Sequence, residues 1–189
     1  MRTVIVADTA TGAATTSPAT MLASLMTSES PRAEYAEALS PFAPLIGSWD
    51  LDVSYYAEDG TVTNETKGEW IFAWALDGRA VADIWITPSR AQRLIDGDGE
   101  WGLTVRLHDP ELGAFRSTWL GPKNAVVMTF IGHVGDRSIT LEAREPKAAK
   151  TRWIFTDITD TGFNWRNEDE DEDGTITVRQ RFVGRRPQS

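Results

Sequence analysis

The sequence predicts an all-β fold, a closed or nearly closed antiparallel up-and-down barrel of about ten strands preceded by one or two short helices. Three observations lead there. From Trp49 onward, runs of about seven to twelve residues rich in Val, Ile, Thr, Trp and Phe are punctuated by Asp-Gly, Gly-Asp and Asp-Pro. Several links are short enough for hairpins, so sequential strands pair with their neighbours. A meander of that many strands leaves two bare edges unless it closes, and closure at this size leaves interior room. A chain of 189 residues suits one core, with a flexible leader over 1–16, a helical segment over 17–47 and the barrel over 48–185.

The elements follow in order. Residues 1–16 are rich in Ala and Thr without a sustained period and carry no assigned role. Ser17-Pro18 and Ser30-Pro31 each pair an N-cap residue with proline at the first helical position. The second pair precedes Arg32 to Leu39, where Tyr35, Ala36 and Leu39 share a helical face. Strands are placed near 48–58, 61–76, 79–87, 100–108, 114–120, 124–132, 136–144, 150–159, 162–168 and 174–184.

Asp59-Gly60 and Asp77-Gly78 suit two-residue type I′ turns, while Asp109-Pro110-Glu111-Leu112-Gly113 supplies a proline-fixed turn ending in a left-handed glycine. A two-residue turn at Asp77-Gly78 sets Leu76 opposite Arg79, Trp74 opposite Val81, Phe72 opposite Asp83 and Trp70 opposite Trp85. The reverse face carries Ile71, Ala73, Ala75, Ala80, Ala82 and Ile84, so neither side reads as freely solvated. One face is expected to line the barrel, the other to lie under the amino-terminal helices or a partner subunit, which makes a homodimer an open expectation.

Composition closes several function classes. The absence of cysteine removes disulfides, thiolate metal sites and cysteine nucleophiles. A net charge of -9, with no basic run longer than Arg185-Arg186, argues against nucleic acid as a partner. Val4 to Ala7 is too short for a signal-peptide core and no apolar run reaches membrane-spanning length, so no membrane association and a cytoplasmic location are expected. With only two histidines, far apart, no metal site is expected. The run Glu168 to Gly174 lacks the glycine and terminal Glu spacing of a calcium loop and reads as a solvated acidic turn. No Gly-x-Ser-x-Gly, Walker or Rossmann glycine pattern is present.

The segment Leu39 to Trp49, ending in Gly47-Ser48-Trp49, resembles the opening of calycin-superfamily barrels, and most of all bacterial lipocalin-like and nitrobindin-like proteins. The resemblance implies that Trp49 plugs a closed barrel end beneath an arginine of the last strand, for which Arg179 and Arg181 are the candidates. Nitrobindin-like proteins hold haem through a histidine near the carboxyl end. This chain has none beyond His133, so haem is not carried over and no cofactor is expected.

Eight tryptophans against three tyrosines supply large flat apolar area. Trp70, Phe72, Trp74, Trp85, Trp119, Trp153 and Trp165 are candidate pocket walls, with Arg106 as a polar contact. Asp83, set among indoles, is a candidate acid or base; as a structural residue it would instead pair with Arg79 or Arg106. His108, beyond Thr104 and Arg106 on an alternating polar face, is a second candidate, and as a structural residue it belongs to a solvated rim. Asn164, Arg166 and Asn167 are candidates for the pocket mouth. The residues thus predict a module that binds a small, largely apolar metabolite. The alternatives are a cofactor-free cyclase, isomerase or hydratase using Asp83 or His108, and an association domain whose tryptophans pack only against protein.

Overall fold

Turn chemistry sets the meander. At Leu76-Asp77-Gly78 all three residues take positive φ, and the strands on either side pair Trp70 with Trp85, Phe72 with Asp83 and Trp74 with Val81, the register expected from the sequence. Asp59-Gly60 behaves differently. Gly60 alone takes positive φ, its N–H donates to the Ala57 carbonyl, and Ala57 in turn donates to Thr61, so the link is a five-residue loop with a bulge between Tyr55 and Tyr56. Gly113 takes the expected left-handed φ of 58°.

The computed structural model describes residues 17–144 and 149–188. The expected leader over 1–16 lies outside them. Eleven strands form one sheet: β1 (Thr27–Ser28), β2 (Gly47–Tyr56), β3 (Val62–Ala75), β4 (Ala80–Thr87), β5 (Glu100–Asp109), β6 (Ala114–Gly121), β7 (Val126–Gly135), β8 (Ser138–Ala143), β9 (Lys150–Thr156), β10 (Gly162–Glu170) and β11 (Ile176–Arg185). Strands β2 to β11 pair antiparallel in sequence order, and β11 returns to β2, Gln180–Arg185 against Asp50–Tyr55, to close a ten-stranded barrel. Closure satisfies both edges of the meander. The two-residue β1 adds outside, on Trp74 and Ala75 of β3.

Helix α1 (Pro18–Met26) is capped by Ser17, whose hydroxyl accepts from the Thr20 N–H at 3.2 Å. It buries no residue, so it is not the cover expected for the outer strip of β3 and β4. The second helix is shorter than Arg32 to Leu39: α2 spans Ala36–Leu39, and Ser30 caps nothing. The chain there runs instead against the β3–β4 turn, with the Arg32 N–H donating to Gly78 O at 3.0 Å. A Cβ on Gly78 would lie 2.6 Å from the Ser30 carbonyl oxygen and the Arg32 nitrogen, so glycine permits both the turn and the approach.

Alternation places one face of every strand inward. After α2 a 3-10 turn, Ser40–Leu45, drives Leu39, Phe42 and Leu45 into the barrel end formed by the β3–β4, β5–β6, β7–β8 and β9–β10 turns. Phe42 meets Phe115 edge-on at 4.9 Å, and Trp49 meets Phe163 likewise at 4.9 Å. The Trp49 indole donates to Leu45 O at 2.6 Å.

The arginine over Trp49 is Arg186, its guanidinium 3.7 Å from the ring centroid, and not Arg179 or Arg181. The β2–β11 register explains this: Arg185 lies opposite Asp50, so the next residue reaches Trp49, whereas Arg181 lies opposite Ser54 near the other end. Arg186 also donates to the carbonyls of Asp160, Ser48 and Pro44. No helix among the described residues is long and apolar enough to cross a membrane.

Candidate ligand cavity

Above the plugged end the interior is filled by a second layer. Phe72 of β3, Phe155 of β9 and the side chains of Asp83 and Arg106 occupy it, with Val81, Ile139 and Leu141 around them. Asp83 is 2 % and Arg106 0 % exposed, and the two form a direct ion pair. The second Asp83 oxygen accepts the Trp70 indole N–H at 2.6 Å. Burial pushes the Arg106 guanidinium down to about 9, which leaves it a cation at neutral pH. It lies 5.5 Å from the Phe42 centroid and 5.8 Å from that of Phe72, so aromatic faces fix it where the carboxylate needs it.

Over this layer, five rings touch in a closed circuit. Trp85 meets Trp119 at 5.8 Å, Trp119 meets Trp153 at 5.6 Å and Trp153 meets Trp165 at 5.8 Å between centroids. Trp165 stacks on Phe182 at 4.2 Å, and Phe182 on Trp85 at 5.4 Å. Trp70 abuts Trp165 and Phe182 from the layer below. Five strands supply the circuit, one ring each from β4, β6, β9, β10 and β11. Gly102 of β5 makes it possible, because a Cβ there would overlap the six-membered ring of Trp119.

These rings line a cavity of about 830 Å³ at the end of the barrel opposite the plug. Its walls add Tyr55, Thr66, Thr104, Val126, Asn167 and Gln180, and the β4–β5 and β6–β7 loops form part of the mouth. Desolvation raises the Tyr55 phenol above its ordinary value, so it stays protonated at neutral pH. The charged residues at the lining are Glu65, Asp98, Glu100 and Lys123.

Six buried polar atoms of lining residues find no partner on the protein among the described residues: the indole nitrogens of Trp85, Trp153 and Trp165, the Thr87 and Thr104 hydroxyls and the Asn167 Oδ1. Each is shut off from solvent, so they sit behind the cavity wall and are not open to an occupant.

The structure sorts the residues singled out from the sequence. Trp70, Trp85, Trp119, Trp153 and Trp165 come together at the cavity, whereas Phe72, Trp74, Asp83 and Arg106 do not line it. His108 sits at the plugged end, edge-on to Phe115 at 5.4 Å, across the barrel's length from the cavity. The polar alternation of β5 does not face water as its rim reading required, since Thr104 and Arg106 are 1 % and 0 % exposed. Asn164 donates to Asp157 and Arg166 to Glu168, leaving Asn167 as the member of that trio at the lining.

The acidic run is only half a turn. Glu168 is held by Arg152 and Arg166, Asp169 by Arg179 and Thr151, and Glu170 by Arg152 and Lys150, all along β10. Among the described residues no group of three or more His, Cys, Asp or Glu converges as a metal site would. Sequence reasoning passed over Phe182, Gln180 and Tyr55. The inward period of β11 and β2, counted from Trp49 and its closing partner, would have found them.

No family model and no curated protein matches the chain. Among solved structures, the chain is similar to Rv2717c from M. tuberculosis, with a TM-score of 0.52 at 14 % identity over 81 % of this chain and 99 % of that one. At that identity the likeness concerns the fold alone and extends to no residue role.

Proposed function

We propose that the protein binds one small, flat, largely apolar molecule in the open end of its barrel. The observation that carries this reading is the five-ring circuit beneath a cavity of about 830 Å³, a size ordinary for small-molecule sites, with an aromatic floor under walls and a mouth that carry polar groups. A barrel built only for stability would carry its packed layers to both ends. Here the plug and the ion-pair layer fill one half, and the aromatic wall opens beyond them.

Binding is favoured over catalysis by Asp83 or His108. Asp83 is committed to Arg106 and Trp70 below the aromatic circuit, and His108 lies at the other end. Neither reaches hydrogen-bond distance of a molecule in the cavity, which proton transfer requires.

The test is a titration of the intact protein with fluorene, a rigid apolar tricycle, followed by tryptophan fluorescence. Saturable quenching at one molecule per chain is expected. Thr104→Trp, which fills the cavity from β5, should abolish it while far-ultraviolet circular dichroism remains that of the barrel. Absence of saturable binding, or binding untouched by Thr104→Trp, removes the reading.

A further inference from the structure

We propose that the protein is a homodimer in which helix α1 of each copy lies on the apolar outer face of strands β3 to β5 of the other. Whatever the cavity holds, the outside of this barrel is divided in two. From β9 round to the near end of β3 the outward positions carry charge, as at Arg152, Arg166, Arg181, Asp52 and Lys67. Beyond them the pattern changes. Ile71, Ile84, Leu103, Leu120 and Val127 stand directly opposite one another and make one apolar row across five strands, β3 to β7. Beside it runs a row of smaller side chains, Ala73, Ala82 and Val105. No outward position from Ile71 to Ala75, from Ala80 to Ile86 or from Trp101 to Leu107 is charged. The inward faces of the same strands are aromatic, so these strands are apolar on both sides, the pattern of a sheet covered on both. Yet Leu120 is 41 % and Val127 59 % exposed.

The second bare element is α1. Its nine residues carry no charge, and Met21, Leu22, Leu25 and Met26 recur at the spacing of one helical face. Leu22 is 60 % and Leu25 68 % exposed. A helix of this length is marginal in water unless its apolar face packs on something. Its own barrel does not serve: β1 ties it to the Trp74–Ala75 end of β3, and α1 buries no residue among the described residues. In a second copy the row of small side chains leaves a trough beside the Ile71–Val127 row that leucines can enter. Charge points the same way. Two copies of net charge -9 repel, so they meet where neither carries charge, and these two elements are such surfaces. The area suffices as well. Met21, Leu22 and Leu25 each leave about 100 Å² in water, and reciprocal cover of both helices and both faces removes on the order of 1,200 Å², the lower bound of a stable interface.

Sedimentation equilibrium of the intact protein should give twice the mass of the chain. Leu22→Lys on α1 and Leu120→Lys on the outer face each place a charge in the contact. Both positions are exposed within one chain, so the far-ultraviolet circular dichroism of the barrel should be kept while the mass falls to that of one chain. Because the sequence has no cysteine, chains carrying Leu25→Cys and chains carrying Leu120→Cys can be mixed and mildly oxidised to read the geometry. A disulfide joining the two kinds is expected in preference to either kind joined to itself. A single-chain mass for the parent overturns the proposal, as does a dimer that survives both lysines. Preferential pairing of Leu120→Cys chains with one another would place face against face and overturn the role of α1.

Discussion

Replacing Asp83 by Asn removes one charge from a pair that has no access to water. Asp83 is 2 % and Arg106 0 % exposed, and Arg106 is hemmed by Phe42 and Phe72, so the guanidinium cannot swing out to be hydrated. The amide oxygen of Asn can still accept from the Trp70 indole, while its NH2 then meets the Arg106 guanidinium donor to donor, so the charge and its hydrogen bond are lost together. Breaking a buried pair in this way costs about 3–5 kcal/mol. For a chain of this length that corresponds to a melting point lower by about 6–20 °C. Urea unfolding followed by circular dichroism gives the free energy directly. The double variant Asp83→Leu with Arg106→Met removes both charges and should recover most of the loss, since an apolar replacement of a buried pair is often neutral or better. If Asp83→Asn unfolds within about 1 kcal/mol of the parent, the pair is not the uncompensated buried interaction the geometry requires.

Other outcomes follow from the same structure. Gly102→Ala pushes a methyl into the Trp119 ring, so it should cost about 1–3 kcal/mol and weaken fluorene binding; calorimetry showing unaltered affinity would remove Trp119 from the wall. Arg186→Ala strips the cation from the Trp49 face and three backbone carbonyls of their donor, for about 1–3 kcal/mol in a chemical melt, and an unchanged melt would mean that the plug does not need it. Hydrogen bonds from Lys67 and Arg185 hold the Asp52 carboxyl below its ordinary value. That stabilisation is complete above the unfolded pKa of about 3.9 and is lost as pH falls through the lower folded one, so Asp52→Asn should weaken the fold at pH 7 and make the acid decline shallower. An equally steep decline below about pH 4 would contradict the assignment.

Strand positions were legible because a closed barrel imposes the same period of two on every segment, and turn residues mark the breaks. The β3–β4 register followed from Asp77-Gly78, where residues of positive φ leave little freedom. Asp59-Gly60 looked alike but sits in a longer loop, since a dipeptide does not report where its flanking strands stop pairing. Arg186 was missed because choosing among the four arginines from Arg179 to Arg186 needed the β11–β2 pairing, a contact across more than a hundred residues of sequence.

Of the tryptophans proposed as walls, Trp70 of β3 and those of β4, β6, β9 and β10 came together, while Trp74 fell toward the plugged end. Height along the barrel axis depends on strand stagger, which alternation does not encode. The polar alternation of β5 was read as solvated because residue type alone does not separate a wet face from an internal ion pair. Thr104, Arg106 and Asp83 required knowing what stands opposite.

The central claim is that a flat apolar molecule sits on the Trp85–Trp119–Trp153–Trp165 side of the barrel. Eight tryptophans give eight indole N–H signals in a two-dimensional nitrogen–proton spectrum of isotope-labelled protein. On adding fluorene, the signals of Trp85, Trp119, Trp153 and Trp165 should shift together and saturate. Those of Trp49, bonded to Leu45 O in the plug, and Trp101, exposed on the outer face beside Arg93, should hold still. Shifts confined to Trp101, or none at the four cavity indoles, would contradict the account.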